Sequence, residues 1–253
     1  KGDVRCSKSD YSFKSIASFL ALMELPCIIV PIVPTTDSEM ESKLKASLVN
    51  KIISFNNEEI QIETITETLE LPKNYSEITD KNQSGLVLFS SGTTGEPKVM
   101  VHNLTELAES FAQPKKTRNL NFLLFLMFDH IGGINTLLNC LNNGSAITLP
   151  ENRNPEYILD LIQTQKVQIL PTSPTFLNLM LMNENFADYD LSSLKMITYG
   201  TERMPQTLLN KLKERIPSVK FLQTFGTSET GILRTESKSS TSLFFKIVDP
   251  DYQ

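Results

Sequence analysis

The sequence predicts an α/β protein made of mainly parallel sheets covered by helices, and three observations point there. Short apolar runs of strand length recur along the chain, amphipathic stretches of helical spacing separate them, and Gly or Pro marks most of the changes between the two. Strands alternating with helices require crossover connections, which are right-handed and leave the sheet covered on both faces. The composition, 40% hydrophobic and 21% charged over 253 residues, is enough to bury a sizeable core.

The elements follow in order. Phe13, Ile16, Ala17, Leu20 and Met23 recur at helical spacing over residues 12–25, and Cys27 to Val30 then reads as a buried strand. Residues 37–49 read as an amphipathic helix, 51–55 as a strand, and the polar stretch 56–83 as a surface loop. The apolar run Leu86 to Phe89 is a strand, Lys98 to Val101 an extended run, 104–111 a helix, and Phe122 to Phe128 a central strand. After that the alternation is regular. Helices are expected at 134–141 (ending at Gly144), 155–164, from Pro174, and at 205–215; strands are expected at 146–149, 167–170, 194–198 and 219–223.

Several function classes are disfavoured by composition. A net charge of −5 is not that of a general nucleic-acid binder. Cys6, Cys27 and Cys140 form no CxxC or Cys/His metal pattern and read as idle thiols in a reducing cytoplasm. Residues 16–33 are broken by Glu24 and Pro26, so no membrane span and no signal peptide is expected. The chain starts Lys1-Gly2 without methionine, so the natural amino terminus is expected upstream.

Three segments can carry chemistry. Ser90-Ser91-Gly92-Thr93-Thr94-Gly95-Glu96-Pro97-Lys98 follows a strand and offers hydroxyls, two glycines and a mobile cation, which is the equipment for gripping a polyphosphate. It is not a Walker loop, because Pro97 precedes Lys98 and Val99 follows it. A polar surface turn is the bland alternative. Thr224-Phe225-Gly226-Thr227-Ser228-Glu229-Thr230-Gly231 is a second glycine and hydroxyl turn at a strand end, where ligands gather, and it reads equally well as a structural turn. In Phe128-Asp129-His130-Ile131-Gly132-Gly133 polar residues interrupt an apolar run, and His130 reads either as a packed core residue or as part of a site.

The order of these segments, with Tyr199-Gly200-Thr201-Glu202 between the last two, resembles the AMP-forming adenylating enzymes: acyl- and aryl-CoA ligases, adenylation domains of peptide synthetases, and luciferases. The resemblance covers nearly the whole chain, so residues 1–253 are expected to form the amino-terminal adenylation region. Within it, 84–103 would be the phosphate loop with its flanking strands and 194–231 the adenine- and Mg²⁺-binding segment. It implies that Ser90, Ser91, Gly92, Thr93, Thr94, Gly95 and Lys98 wrap the departing phosphates of ATP. Gly200, Thr201 and Glu202 would line one adenine face, with Phe225 on the other. Ser228 would bond the α-phosphate, and Glu229 would coordinate Mg²⁺. Asp129, His130, Tyr199 and Gly226 would border the pocket for a small carboxylic acid.

The sequence departs from the family pattern in Ser228 for threonine, Phe225 for tyrosine, and a short interval from Lys98 to His102. Amino-acid-activating relatives bind the substrate's ammonium through an Asp in the His-containing segment, which makes Asp129 a second kind of candidate.

The implied reaction joins the acid to AMP and releases pyrophosphate. A carboxylate is already ionised at about pH 7, so its attack on phosphorus needs no general base; alignment and neutralisation of anionic charge remain the task. Coenzyme A would accept the acyl group, or the phosphopantetheine thiol of a carrier protein. The family's carboxy-terminal cap, with its catalytic lysine, is expected beyond Gln253, and without it adenylate formation is expected to be slow. A nucleotide-binding module that no longer turns over is the non-enzymatic alternative.

Overall fold

A computed structural model describes residues 3–56, 59–65, 70–91, 96–112, 119–200, 202–227, 231–233 and 235–248. The chain divides into two compact units, the first formed by Lys1–Pro114 and Met127–Ile134, the second by Lys115–Leu126 and Asn135–Gln253.

The first unit contains β1 (Val4–Lys8), α1 (Phe13–Met23), β2 (Ile28–Ile32), α2 (Asp37–Ala46), β3 (Lys51–Asn56), β4 (Glu59–Thr64), α3 (Lys73–Thr79), β5 (Gly85–Ser91), β6 (Pro97–Asn103) and α4 (Leu104–Phe111). Its six-stranded sheet has the order β4-β3-β1-β2-β5-β6. The inner strands pair in parallel, while β4 and β6 are antiparallel edges. Every residue of β2 is buried, as expected of a strand covered on both faces. Val4, Cys6, Ile28, Val30, Ile32 and Val87 make the centre of this core.

Helix α1 forms where a capping box starts it: Ser12 accepts from the Ser15 N–H, and the Ser15 hydroxyl accepts from the Ser12 N–H. Such a cap stabilises by about 1 kcal/mol. The buried stripe Ser15, Phe19 and Leu22 seats the helix, and the Phe19 ring meets Phe128 edge-on with centroids 5.2 Å apart. Tyr11 packs on the same Phe128 at 4.6 Å.

Helix α5 (Ile131–Asn143) starts in the last residues of the first unit and continues in the second. The second unit also holds β7 (Asn121–Leu123), β8 (Ala146–Thr148), α6 (Pro155–Gln165), β9 (Ile169–Thr172), α7 (Pro174–Met182), β10 (Met196–Tyr199), α8 (Gln206–Arg215), β11 (Lys220–Gln223), β12 (Phe225–Thr227), β13 (Gly231–Leu233), β14 (Thr235–Ser237) and β15 (Phe245–Ile247). Its sheet, β11-β10-β9-β7-β8, is parallel throughout. Asn154 and Ser173 cap α6 and α7, each with proline in the first turn, where a missing N–H is harmless. Leu159, Ile162, Leu170, Leu177, Ile197 and Leu209 fill the core. Helix α5 ends as expected: Gly144 takes φ of 61°, and the Ser145 N–H donates to the Cys140 carbonyl.

The fold class is α/β as expected. Three local readings are corrected. The stretch 56–83 contains β4 and α3, and does not simply loop over the surface; β4 pairs with β3 although it is exposed along its whole length, Ile60 and Ile62 included. The apolar run 122–128 supplies only the end of the three-residue β7 before the backbone turns. Strand β1, absent from the sequence reading, lies between β3 and β2.

Candidate functional site

The residues that flank the glycine and hydroxyl motif pair as antiparallel strands. Strands β5 and β6 pair in register from Gly85↔Asn103 to Ser91↔Pro97, with Ser90 directly opposite Lys98. Proline as the first residue of an edge strand removes no needed donor. Lys98 is exposed and Ser90 half-buried. Gly92, Thr93, Thr94 and Gly95 lie outside the described residues.

Beside the hairpin the first unit has a cleft of about 790 Å³. Its walls include Ser38, Glu39 and Lys43 of α2, Phe89 and Ser90 of β5, and Asp129 with His130. Asp129 is only 7% exposed, and its Oδ2 faces the Lys43 ammonium at 3.8 Å and the Val33 N–H at 3.4 Å. Its Oδ1 is buried without a hydrogen-bond partner, 3.7 Å from His130 Nε2. Lys43 is held in turn by Glu39 Oε1 at 2.8 Å, and its ammonium stands 5.6 Å from the Phe89 ring centroid. His130 is exposed, and Gly133 explains part of the motif: a Cβ there would overlap the Met127 carbonyl oxygen and come within 2.7 Å of the Tyr11 hydroxyl. Only glycine allows that turn to close.

In the second unit the other two segments meet at the carboxyl ends of neighbouring parallel strands. The Thr224 N–H donates to the Tyr199 carbonyl at 2.8 Å, and the Thr224 hydroxyl reaches the same oxygen at 3.2 Å. A Cβ on Gly200 would stand 2.9 Å from the Thr224 carbonyl oxygen, so glycine permits this approach. The Tyr199 ring is buried in the core, and burial raises its phenol's pKa. The Glu202 carboxylate accepts from the Thr175 N–H at 3.1 Å and from the Thr175 hydroxyl, at the start of α7. Phe225 is partly exposed, its ring 5.9 Å from Phe245. Gly226 pairs with Ile232 where β12 and β13 form a two-stranded ribbon. Thr201, Ser228 and Glu229 lie outside the described residues.

The sequence profile described as "AMP-binding enzyme" matches residues 8–243. The chain belongs to that family. The chain is 34% identical over 152 residues to 4-coumarate-CoA ligase 1 of Narcissus pseudonarcissus, covering 56% of the chain and 28% of the relative. It is 27% identical over 265 residues to 4-coumarate–CoA ligase 3 of Arabidopsis thaliana, covering 91% of the chain and 47% of the relative. The chain thus spans less than half the length of either. In fold it is similar to the inhibitor-bound N-terminal domain of FACL13 from Mycobacterium tuberculosis, with a TM-score of 0.70, 19% identity, and coverage of 90% of this chain and 63% of that one.

Lys43 escaped the sequence reading. Its only local signal is the i,i+4 spacing to Glu39, ordinary for a solvated helix face. Among the described residues no group of three or more His, Cys, Asp and Glu could hold a metal, and no helix is long and apolar enough to cross a membrane.

Proposed function

We propose that this chain is the part of an acid-thiol ligase that binds ATP and a carboxylic acid and joins the acid to AMP, with release of pyrophosphate. The observation that carries the reading is the antiparallel pairing of β5 with β6, which sets Ser90 opposite Lys98 on either side of the hydroxyl and glycine motif. Seven paired positions hold the backbones of Ser90 and Lys98 opposite each other, and preorganised donors aimed at developing charge are the main source of rate in such chemistry.

In this reading residues 84–103 hold the phosphates, through Ser90, Ser91, Gly92, Thr93, Thr94, Gly95 and Lys98. Residues 194–231 hold the adenine, between Gly200, Thr201 and Glu202 on one side and Phe225 on the other. Ser228 takes the α-phosphate. Glu229 has the hard oxygen donors that suit Mg²⁺, which would offset phosphate charge. His130, Asp129, Tyr199 and Gly226 border the acid. Two roles are refined by the contacts above. With its carboxylate engaged by Thr175, Glu202 offers the base its backbone. Tyr199, its phenol buried, likewise contributes its backbone.

The names of the curated relatives favour an aryl-bearing acid and coenzyme A as acceptor over a carrier-protein thiol. Three buried, free cysteines suit a reducing compartment such as the cytoplasm.

Two measurements test the reading. ATP with Mg²⁺ raises the melting temperature, and 4-coumarate raises it further only when nucleotide is present. Labelled pyrophosphate exchanges into ATP only when an acid is added. Exchange independent of acid, or no protection by ATP, contradicts the proposal; transfer to a pantetheinylated carrier but not to coenzyme A would reassign the acceptor.

A further inference from the structure

We infer that Lys43 selects the class of acid: it serves as a resident ammonium for Asp129, so that acids bearing an α-ammonium group are refused and acids without one are accepted. The inference rests on the adenylation reading above and deepens it.

By sequence alone Asp129 could be the carboxylate that receives a substrate's ammonium. The structure gives that seat to another cation. On one side of Asp129 stand the Lys43 ammonium, 3.8 Å from Oδ2, and the Val33 N–H. On the other side, His130 Nε2 lies 3.7 Å from Oδ1, which is itself buried. A buried carboxylate must be paired, and this one already has its counter-ion. An incoming ammonium would have to share one buried negative charge with Lys43 at close range, and like charges there repel strongly.

Lys43 cannot easily withdraw. It is 13% exposed, bonded to Glu39 and set near the Phe89 ring, with its backbone in α2. Two further carboxylates line the cleft, but neither offers an alternative seat inside it. Glu39 already holds Lys43, and Glu96 is at the base of the phosphate loop, in the turn just before β6. An acid without an amine has no charge for Lys43 to repel. Refusal of one substrate by an unfavourable charge is how a site gains specificity without tighter binding to the other.

The test uses matched probes, hexanoate against L-norleucine and 3-phenylpropanoate against L-phenylalanine, with binding measured by calorimetry in the presence of ATP and Mg²⁺. The amine-free member of at least one pair is expected to bind about tenfold or more tightly. Lys43→Met should shrink that ratio by about tenfold, while Lys43→Arg, which keeps the charge, should retain it. Equal or tighter binding of the amino member by the parent overturns the proposal, as does an unchanged ratio in a folded Lys43→Met protein.

A double-variant cycle reads the pairing apart from any ligand. Lys43→Met should lower the melting temperature, and adding Asp129→Asn should recover much of the loss; independent, additive effects overturn the pairing even if Lys43→Met is too unstable for calorimetry. If no probe acid binds and no acid supports exchange, the adenylation reading fails and the selectivity claim with it. If exchange occurs while the ratio ignores Lys43, only the present inference fails.

Discussion

The two glycine and hydroxyl segments present similar residues on different supports. The Ser90–Lys98 segment rides on a hairpin with seven paired positions, and the first residues of β5 also pair with β2 inside a six-stranded sheet. The Phe225–Gly231 segment sits on a ribbon of three pairs, entered through Thr224, which is pinned to Tyr199. On the hairpin, the proposed chemistry and the stability reside in different residues: Lys98 is exposed, whereas Leu88 of the same pair of strands is buried. At the root of the ribbon they coincide, because Gly200 and Thr224 both shape the proposed adenine site and hold its backbone together.

The largest test of this contrast is Lys98→Ala. Acid-dependent exchange should fall by about 10²–10³-fold, the usual loss for one stabilising donor, while stability moves by no more than about 0.5 kcal/mol. A large loss of melting temperature would break the separation. Leu88→Ala should do the reverse, costing about 2–5 kcal/mol in denaturant unfolding and leaving the exchange rate of the folded fraction near normal. Gly200→Ala should change both at once, through about 1–3 kcal/mol of strain against the Thr224 carbonyl together with weaker protection by ATP; full nucleotide affinity in a destabilised variant would separate what the ribbon is said to couple.

The smallest effect lies away from both segments, at Asp190. Hydrogen bonds from the Ser192 side chain and N–H and from Lys166 hold its carboxyl at about 2, below the ordinary 3.8. A depressed carboxylate stabilises the folded state above its unfolded value and loses that contribution as the pH falls through the folded one. The melting temperature of Asp190→Asn should therefore fall slightly below the parent's at about pH 5, and the gap should close near about pH 2. A gap that persists in acid would point to packing and not to charge.

What could be read from the sequence was local. Helices such as α4 declare themselves through residue type and spacing within a few positions, and Leu104–Phe111 is helical over the expected range. Strand β4 does alternate, Ile60 and Ile62 standing between Glu59, Gln61 and Glu63, but the run is short, sits in a polar stretch and leaves both isoleucines exposed, and α3 is only seven residues long, so neither stands out from its surroundings. The stretch after β7 is apolar because Leu124, Phe125 and Phe128 are buried, and burial does not require a strand. At the site, the motifs named their own residues but not their neighbours. Nothing near Lys43 in sequence hints at Asp129; only the fold brings α2 against the residues that follow β7. Conversely, Glu202 and Tyr199 carry side chains whose engagement with Thr175 and with the core becomes visible only in three dimensions.

The placement of β1 makes residues 4–8 unforgiving. Its residues Val4–Lys8 form a ladder with β2 on one side and β3 on the other, and Val4 and Cys6 have no solvent exposure. Trimming the chain by even its first eight residues would not shorten the protein at a margin. It would take a slat out of the middle of the sheet, leaving two adjoining strands with bare edges of N–H and carbonyl groups open to a stray partner. An inserted tag or cleavage site therefore never belongs inside that strand.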